Sequence, residues 1–161
     1  MIFTVRPIAV SDAEAICTWR YPEPYAVYNG TAATVAALLD PDYHYCAVFE
    51  EAGELVGFFC YGADARVPGE LAGEDPDDAT LDVGLGLRPD LTGQGLGSAF
   101  VEAGLAYARE TFAPHRFRLA VLTFNRRAIV VYERSGFHPV RTFVGPSRQG
   151  DREYLRMERD S

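Results

Sequence analysis

A glycine-rich turn between a strand-like segment and a helix-like segment limits the folds open to this chain more than any other feature. Residues 85–97 read LGLRPDLTGQGLG, which places glycines at positions 93, 95 and 97. Apolar residues alternate from Leu81 to Leu87, which predicts a strand over 80–87, and residues 98–112 have the composition of a helix. Strand, tight turn and helix in succession indicate an α/β domain.

The same turn is a candidate anion site. Glycines carry no Cβ atom, so they leave backbone N–H groups accessible at the positive end of the next helix, where a diphosphate binds well. Gly84 and Gly86 also leave one face of the strand bare, which indicates either a bulge or a ligand against the backbone. A tight turn without a ligand is the alternative. Position 98 is Ser98 rather than glycine, which excludes the Rossmann fingerprint.

Composition excludes several mechanisms. All 15 basic residues are Arg, and without Lys the chain has neither a Walker-type phosphate loop nor a Schiff-base amine. Cys17, Cys46 and Cys60 are odd in number and far apart, and the three His residues have no ligand spacing. We therefore predict neither a disulfide framework nor a metal.

Charge is distributed unevenly along the chain. Residues 1–100 contain 4 Arg and 16 Asp or Glu, whereas residues 101–161 contain 11 Arg and 7 Asp or Glu. This asymmetry favours a cation near the first part and phosphates near the second, or it reflects two solvated surfaces. The net charge of −8 disfavours nucleic acid as a partner.

The length and the 48% hydrophobic content suit a single domain, 1–161. No segment approaches the roughly 18 consecutive apolar residues that span a bilayer, and the first residues lack the pattern of a signal peptide. We therefore expect a cytoplasmic protein that does not associate with membranes.

Strand and helix patterns alternate along the rest of the chain. Strands are predicted at 3–10 and 117–124, and hairpins at 44–62 and 138–159. A first helix is predicted after an N-cap at Ser11, with Glu14 completing a capping box. A second is predicted from Thr31 or Thr34 to Leu39. A third is predicted to begin after an N-cap at Asn125 and to end before Gly136. Residues 62–79 form a long acidic loop, and the aromatic segment 19–30 is expected to be ordered but not helical.

Two motifs in this order carry a family resemblance. LGLRPDLTGQGLG resembles the coenzyme A signature of the GNAT superfamily of N-acetyltransferases, and FNRRAIVVYERSGFHPV (residues 124–140) is similar to a later motif of the same superfamily. The one departure is Thr92, which stands where the signature has Arg or Gln. The backbone contacts of the loop survive this change, whereas a side-chain contact with the diphosphate is in doubt.

The resemblance implies an α/β (α+β) GNAT acyl-coenzyme A N-acyltransferase fold. Its central mixed sheet is flanked by helices and splayed between two middle parallel strands, here about 80–87 and 117–124, to admit the pantetheine arm of acetyl-coenzyme A. The residues implied for the cofactor are Leu85 and Leu87 by backbone pairing, Thr92, Gly93, Gln94, Gly95, Leu96, Gly97 and Ser98 for the diphosphate, and Asn125 near the arm.

The implied reaction is direct acetyl transfer to a primary amine. Tyr132 is the candidate acid for the departing thiolate, and Asp82 or water is the candidate base, with Glu23 as another. A backbone N–H near Leu85 to Leu87 is the candidate oxyanion donor. The alternatives are a core tyrosine for Tyr132, a structural carboxylate for Asp82 and a purely capping role for Asn125.

The acceptor is expected between the aromatic segment and the loop 144–151. The substrate-binding candidates are Trp19, Tyr21, Glu23, Tyr25 and Tyr28. Aromatic faces beside acids suit an ammonium group, so we expect a cationic small-molecule or peptide amine; an aromatic cover for the core is the alternative. The runner-up function is a catalytically degenerate module of the same fold that binds acyl-coenzyme A or a partner. The chain is expected to be a monomer or a homodimer.

Overall fold

Strands account for much of the computed structural model, which describes residues 1–74, 77 and 79–161. Seven strands lie in this described part: β1 (Thr4–Pro7), β2 (Cys46–Phe49), β3 (Leu55–Tyr61), β4 (Thr80–Leu87), β5 (Arg116–Leu122), β6 (His138–Gly145) and β7 (Arg152–Asp160). They follow the order β1-β2-β3-β4-β5-β7-β6 in the sheet. Only the β4–β5 pair of these strands is parallel. The predicted mixed sheet with two middle parallel strands is therefore confirmed.

The same part of the chain contains four α-helices: α1 (Val10–Cys17), α2 (Thr34–Leu38), α3 (Gly97–Phe112) and α4 (Arg126–Arg134). Helices α3 and α4 pack against each other and against the sheet, and they share the main core with Phe59, Phe117 and Met157. Helices α1 and α2 form a smaller apolar cluster of their own.

Local signals placed most elements correctly. Asn125 is the N-cap of α4, with its Oδ1 accepting from the Ala128 N–H at 3.2 Å, and Gly136 has a φ of +90° after the end of the helix. The predicted cap at Ser11 is wrong, because α1 begins after Ala9. The Asp12 carboxylate accepts from the Ala9 N–H at 2.9 Å, which closes the first turn two positions earlier than Ser11 and Glu14 would.

The aromatic segment is ordered, as predicted, and contains a short 3₁₀ turn at Tyr25–Tyr28. In the predicted loop 62–79, the 3₁₀ turn Ala63–Ala65 packs beside β4, and residues 75, 76 and 78 lie outside the described residues. Cys17, Cys46 and Cys60 are free and buried, where each packs as a small apolar side chain.

Candidate active site

The site begins where β4 and β5 separate. The two strands pair only at Thr80↔Arg116, Leu81↔Phe117 and Asp82↔Arg118, although both continue for several residues. Beyond Asp82 the β4 edge that faces β5 therefore lies open. The splay that the resemblance implied is present between the predicted strands.

The register of β3 and β4 identifies which backbone groups face this opening. The Arg88 N–H donates to the Val56 carbonyl at 2.8 Å, and the Gly62 N–H donates to the Asp82 carbonyl at 2.9 Å. Hydrogen-bonded positions alternate in an antiparallel pair, so the even-numbered residues of β4 bond to β3. The N–H and C=O groups of Val83, Leu85 and Leu87 consequently point toward β5 and the open cleft.

A cavity of about 820 Å³ occupies the cleft and continues across the N-terminus of α3 to the aromatic segment. Its wall combines the separated strands, the glycine-rich turn, one face of α4 and part of the β6–β7 loop. The lining residues are Tyr21, Tyr25, Val27, Tyr28, Phe58, 83–87, 91–93, 95–97, Phe100, Val101, 119–122, 125–128, 130–132, Arg134, Ser147, Arg148 and Tyr154.

The glycine-rich turn presents free backbone donors to this cavity. Gly93 and Gly95 adopt left-handed φ angles of +73° and +78°, which bring successive N–H groups to one side. Within the described residues, the N–H groups of 93–96 donate no hydrogen bond, and the first three N–H groups of α3 have no intrahelical partner. This set of donors at a helix N-terminus matches the needs of a diphosphate.

Close packing fixes this turn against α4. A Cβ atom at Gly97 would lie 2.8 and 2.9 Å from the two γ-methyl groups of Val131. The start of α3 therefore touches the middle of α4, and only a glycine permits that approach.

The side chains of the turn are engaged within the turn itself. The Thr92 hydroxyl donates to the Pro89 carbonyl at 2.8 Å, and the Gln94 amide donates to the Asp90 carbonyl at 2.6 Å. Thr92 lines the cavity, whereas Gln94 and Ser98 do not. The turn therefore offers backbone donors but no side-chain cation.

Tyr132 lines the cavity from α4 and lies beside the aromatic segment. Its ring packs edge-on against Phe137, with 6.2 Å between centroids. Burial raises the pKa of Tyr132, and the nearby Tyr28 adds to the shift. The phenol therefore stays protonated through neutral pH, which is the form that can donate a proton.

Asn125 links the cap of α4 to the aromatic segment. Its Nδ2 donates to the Tyr28 hydroxyl at 3.0 Å while its Oδ1 caps the helix. Tyr21 makes a second link, because its hydroxyl donates to the Leu87 carbonyl at 2.7 Å. The carbonyl of Leu87 thus already accepts a hydrogen bond, so of these two residues Leu85 has the backbone groups that are more available to a ligand.

Asp82 lies at the apex of the cleft, and it is 2% exposed and absent from the cavity wall. Its two oxygens accept from Arg118 at 2.7 and 2.9 Å, and Oδ2 also accepts from Arg66 at 2.8 Å. Both carboxylate oxygens thus accept from guanidinium groups, and neither faces the cavity. This placement favours the structural reading of Asp82, namely an ion pair that ties β4 to β5 at their last paired position.

The predicted substrate residues divide into two groups. Tyr21, Tyr25 and Tyr28 line the cavity, whereas Trp19 and Glu23 do not. Trp19 packs near Phe58 with 6.5 Å between ring centroids, and Glu23 is exposed. The aromatic wall is therefore present, but the acid expected beside it is not part of the described lining.

Arginines of the wall were missed by the sequence-based assignment. Arg126, Arg127 and Arg134 line the cavity from α4, and Arg148 lines it from the β6–β7 loop. The surplus of arginine after residue 100 was the available signal. It gave a net positive region without indicating which residues share a surface.

Other site types find no support among the described residues. They contain no cluster of three or more His, Cys, Asp or Glu side chains suited to a metal ion. None of their helices has both the length and the apolar character needed to cross a membrane.

Comparison with known proteins identifies the family. Residues 11–137 match the Acetyltransferase (GNAT) family. Mycothiol acetyltransferase of Propionibacterium freudenreichii subsp. shermanii is 35% identical over 122 residues, which cover 70% of this chain and 35% of that protein. The corresponding protein of Salinispora tropica is 35% identical over 111 residues, covering 66% of this chain and 34% of that protein. The chain thus spans about a third of the length of these curated relatives.

Solved structures agree on the fold. An acetyltransferase (GNAT family) from Bacillus anthracis superposes with a TM-score of 0.75 at 15% identity, covering 99% of this chain and 95% of that one. Aminoglycoside acetyltransferase AAC(6′)-Ib, solved with ribostamycin and coenzyme A, gives a TM-score of 0.76 at 18% identity, covering 99% and 94%. With the splayed strands and the amide-lined turn in place, the chain belongs to the GNAT family of acetyltransferases.

Proposed function

We propose that residues 1–161 form one N-acetyltransferase domain that transfers the acetyl group of acetyl-coenzyme A directly to a primary amine. The observation that carries this proposal is the open edge of β4 beside the free N–H groups of residues 93–96. One surface thereby offers a strand-like partner for an amide-bearing arm and a set of donors for a diphosphate.

The residues present fit coenzyme A. The N–H groups of the glycine-rich turn and of the first turn of α3 would hold the diphosphate, and the Leu85 carbonyl would accept from a pantetheine amide. Arg126 and Arg134 would supply the positive charge that the turn lacks. Val130 lies between them on the same face of α4 and is 39% exposed, so it offers an apolar surface beside two cations.

The chain's own groups then divide the chemistry. Acetyl-coenzyme A supplies the activated thioester and a thiolate leaving group. Tyr132 holds a phenolic proton in the cavity at neutral pH and would donate it to the leaving group. The Leu85 N–H faces the cleft and would donate to the oxyanion.

The base is assigned to water rather than to Asp82 or Glu23. The described lining of the cavity contains no carboxylate and no imidazole, but it contains four arginines. A positive surrounding disfavours the protonated form of an amine, so the acceptor would lose its proton to solvent before attack.

The relatives support a small-molecule acceptor. The named curated relatives are mycothiol acetyltransferases, and AAC(6′)-Ib has been solved with the aminoglycoside ribostamycin. A small amine is therefore the proposed acceptor class for this chain.

Calorimetry with acetyl-coenzyme A and a thiol-release assay over a panel of amines test the proposal together. We expect binding, followed by amine-dependent release of the thiol and an N-acetylated product detected by mass spectrometry. Binding without release for every amine would instead favour a non-catalytic acyl-coenzyme A-binding module. Absence of binding would contradict the proposed cofactor site.

A further inference from the structure

Arginines fall into two groups according to their partners. Those remote from the cavity mostly pair with carboxylates within 4.0 Å, as Arg66 and Arg118 do with Asp82 and as Arg156 does with Glu74. Among the described residues, none of the four arginines of the cavity wall forms such a pair. Within the described residues, four of the seven arginines that form no such pair therefore line the cavity.

Two of these four arginines lie at the end of the cavity formed by the aromatic segment. The Arg127 guanidinium lies 4.1 Å from the centroid of the Tyr25 ring. Arg148 donates from Nη1 to the Asn29 carbonyl and from Nη2 to the Thr34 hydroxyl at 3.3 Å. Both guanidinium groups are thus held against the segment that carries Tyr25 and Tyr28.

This end of the cavity adjoins the proposed reaction centre. Tyr28 accepts from Asn125 and lies close enough to Tyr132 to raise the pKa of its phenol. Asn29, which holds Arg148, is the next residue in the chain. Arg127 and Arg148 therefore flank the space from which an acceptor would approach Tyr132, whereas Arg126 and Arg134 follow the face of α4 assigned to coenzyme A.

Arg127 also lies at the positive end of α4. Arg126 and Arg127 occupy the first turn of α4, which has no acidic residue. The positive end of a helix favours anions, so a cation there is unfavourable. A bound anion beside these residues would remove that cost.

From this distribution we infer that the acceptor is an amine that also carries a carboxylate, which Arg127 and Arg148 recognise at the aromatic end of the cavity. The inference rests on the proposed acetyl transfer. The hydrogen bonds of Arg148 to Asn29 and Thr34 use only two of its five N–H donors. The remaining N–H groups of its planar guanidinium can still donate to a carboxylate. A polycationic amine finds no carboxylate in the described lining and meets four positive charges. This replaces the cationic acceptor expected from the sequence.

Matched sets of amines test this inference on the wild-type protein. Each set contains an amino acid, its carboxamide and the decarboxylated amine: L-phenylalanine with L-phenylalaninamide and 2-phenylethylamine, L-leucine with its two analogues, and 4-aminobutyrate with its two. Thiol release is measured with acetyl-coenzyme A, and kcat/KM is expressed per unprotonated amine. We expect the carboxylate member of the best set to exceed both analogues by about tenfold or more, as for a charge-assisted hydrogen bond.

The variant Arg148→Gln should reduce this ratio to near one by raising KM for the carboxylate member. Arg20→Gln is the matched control, because Arg20 is an exposed arginine outside the cavity wall that also donates to backbone carbonyls, those of Cys17 and Trp19. It should leave the ratio unchanged.

Turnover that favours carboxamides, simple amines or spermidine would overturn the inference while leaving acetyl transfer intact. If no amine of any kind supported thiol release, that result would instead contradict the proposed function. The wild-type comparison decides between these results even if Arg148→Gln fails to fold.

Discussion

Replacing Gly95 by alanine isolates the backbone geometry of the proposed diphosphate site. Gly95 has a φ of +78°, and an added Cβ atom would meet nothing within 4 Å. The substitution therefore introduces no clash and removes no packing. Its effect should arise only from the left-handed conformation, which an L-residue with a Cβ atom disfavours.

The expected magnitude follows from that conformational term. A left-handed residue other than glycine costs about 1–2 kcal/mol. If the turn relaxes to negative φ, the N–H groups of 93–96 diverge, and binding must restore their arrangement at this cost. Since 1.4 kcal/mol corresponds to a factor of ten, the Kd for coenzyme A should rise by about 5- to 30-fold.

Gly53→Ala provides the matched control. Gly53 has a φ of +86° in the β2–β3 turn, its added Cβ atom would also meet nothing within 4 Å, and it does not line the cavity. Calorimetry should show a weaker Kd for Gly95→Ala alone, while thermal unfolding of the unliganded proteins should show that both variants fold. Equal affinity in wild type and Gly95→Ala, or an equal loss in Gly53→Ala, would refute the assignment of the turn.

Three further predictions address the chemistry, the apex of the cleft and the coenzyme A phosphates. Tyr132→Phe should lower kcat by about 10²–10⁴-fold, and an unchanged kcat would exclude Tyr132 as the acid. Because the pKa of Tyr132 is raised, the phenol keeps its proton up to about pH 10, and the wild-type rate should show no decrease below that pH from deprotonation of Tyr132. Asp82→Asn should reduce the free energy of unfolding by about 3–5 kcal/mol in urea, since Arg118 loses its buried partner; unchanged stability with lost kcat would instead identify Asp82 as the base. Arg126→Gln with Arg134→Gln should raise the Kd of coenzyme A in calorimetry, because these two arginines would supply the positive charge that the turn lacks, and an unchanged Kd would exclude them from the phosphate site.

Strand and helix positions were largely predictable because their signals are local. The alternation of apolar residues fixed β4 at 80–87, and Asn125 with Gly136 marked both ends of α4. The start of α1 was misassigned because Ser11, Asp12 and Glu14 can each contribute to a cap, and the choice depends on which side chain reaches an N–H group. Sequence spacing alone does not distinguish these options.

Ion pairs and other contacts between residues far apart in sequence explain most of the difference between the site predicted from the sequence and the site in the structure. Asp82 lies on the strand that leads into the cleft, which made it a reasonable candidate base. Its partners, Arg66 and Arg118, come from a loop and from another strand, 16 and 36 residues away in sequence. In the same way, Tyr21, Tyr25 and Tyr28 of the aromatic segment line the cavity, but Arg127 and Arg148 reach this segment from distant parts of the chain. The charge of the wall therefore emerges only when the elements are assembled.

A crystal structure of the protein with coenzyme A tests the central claim most directly. The account predicts the diphosphate on the N–H groups of the turn at 93–97, the pantetheine arm against the open edge of β4 at Leu85, and the sulfur near the Tyr132 hydroxyl. Coenzyme A bound outside the β4–β5 cleft, or a sulfur remote from Tyr132, would contradict it.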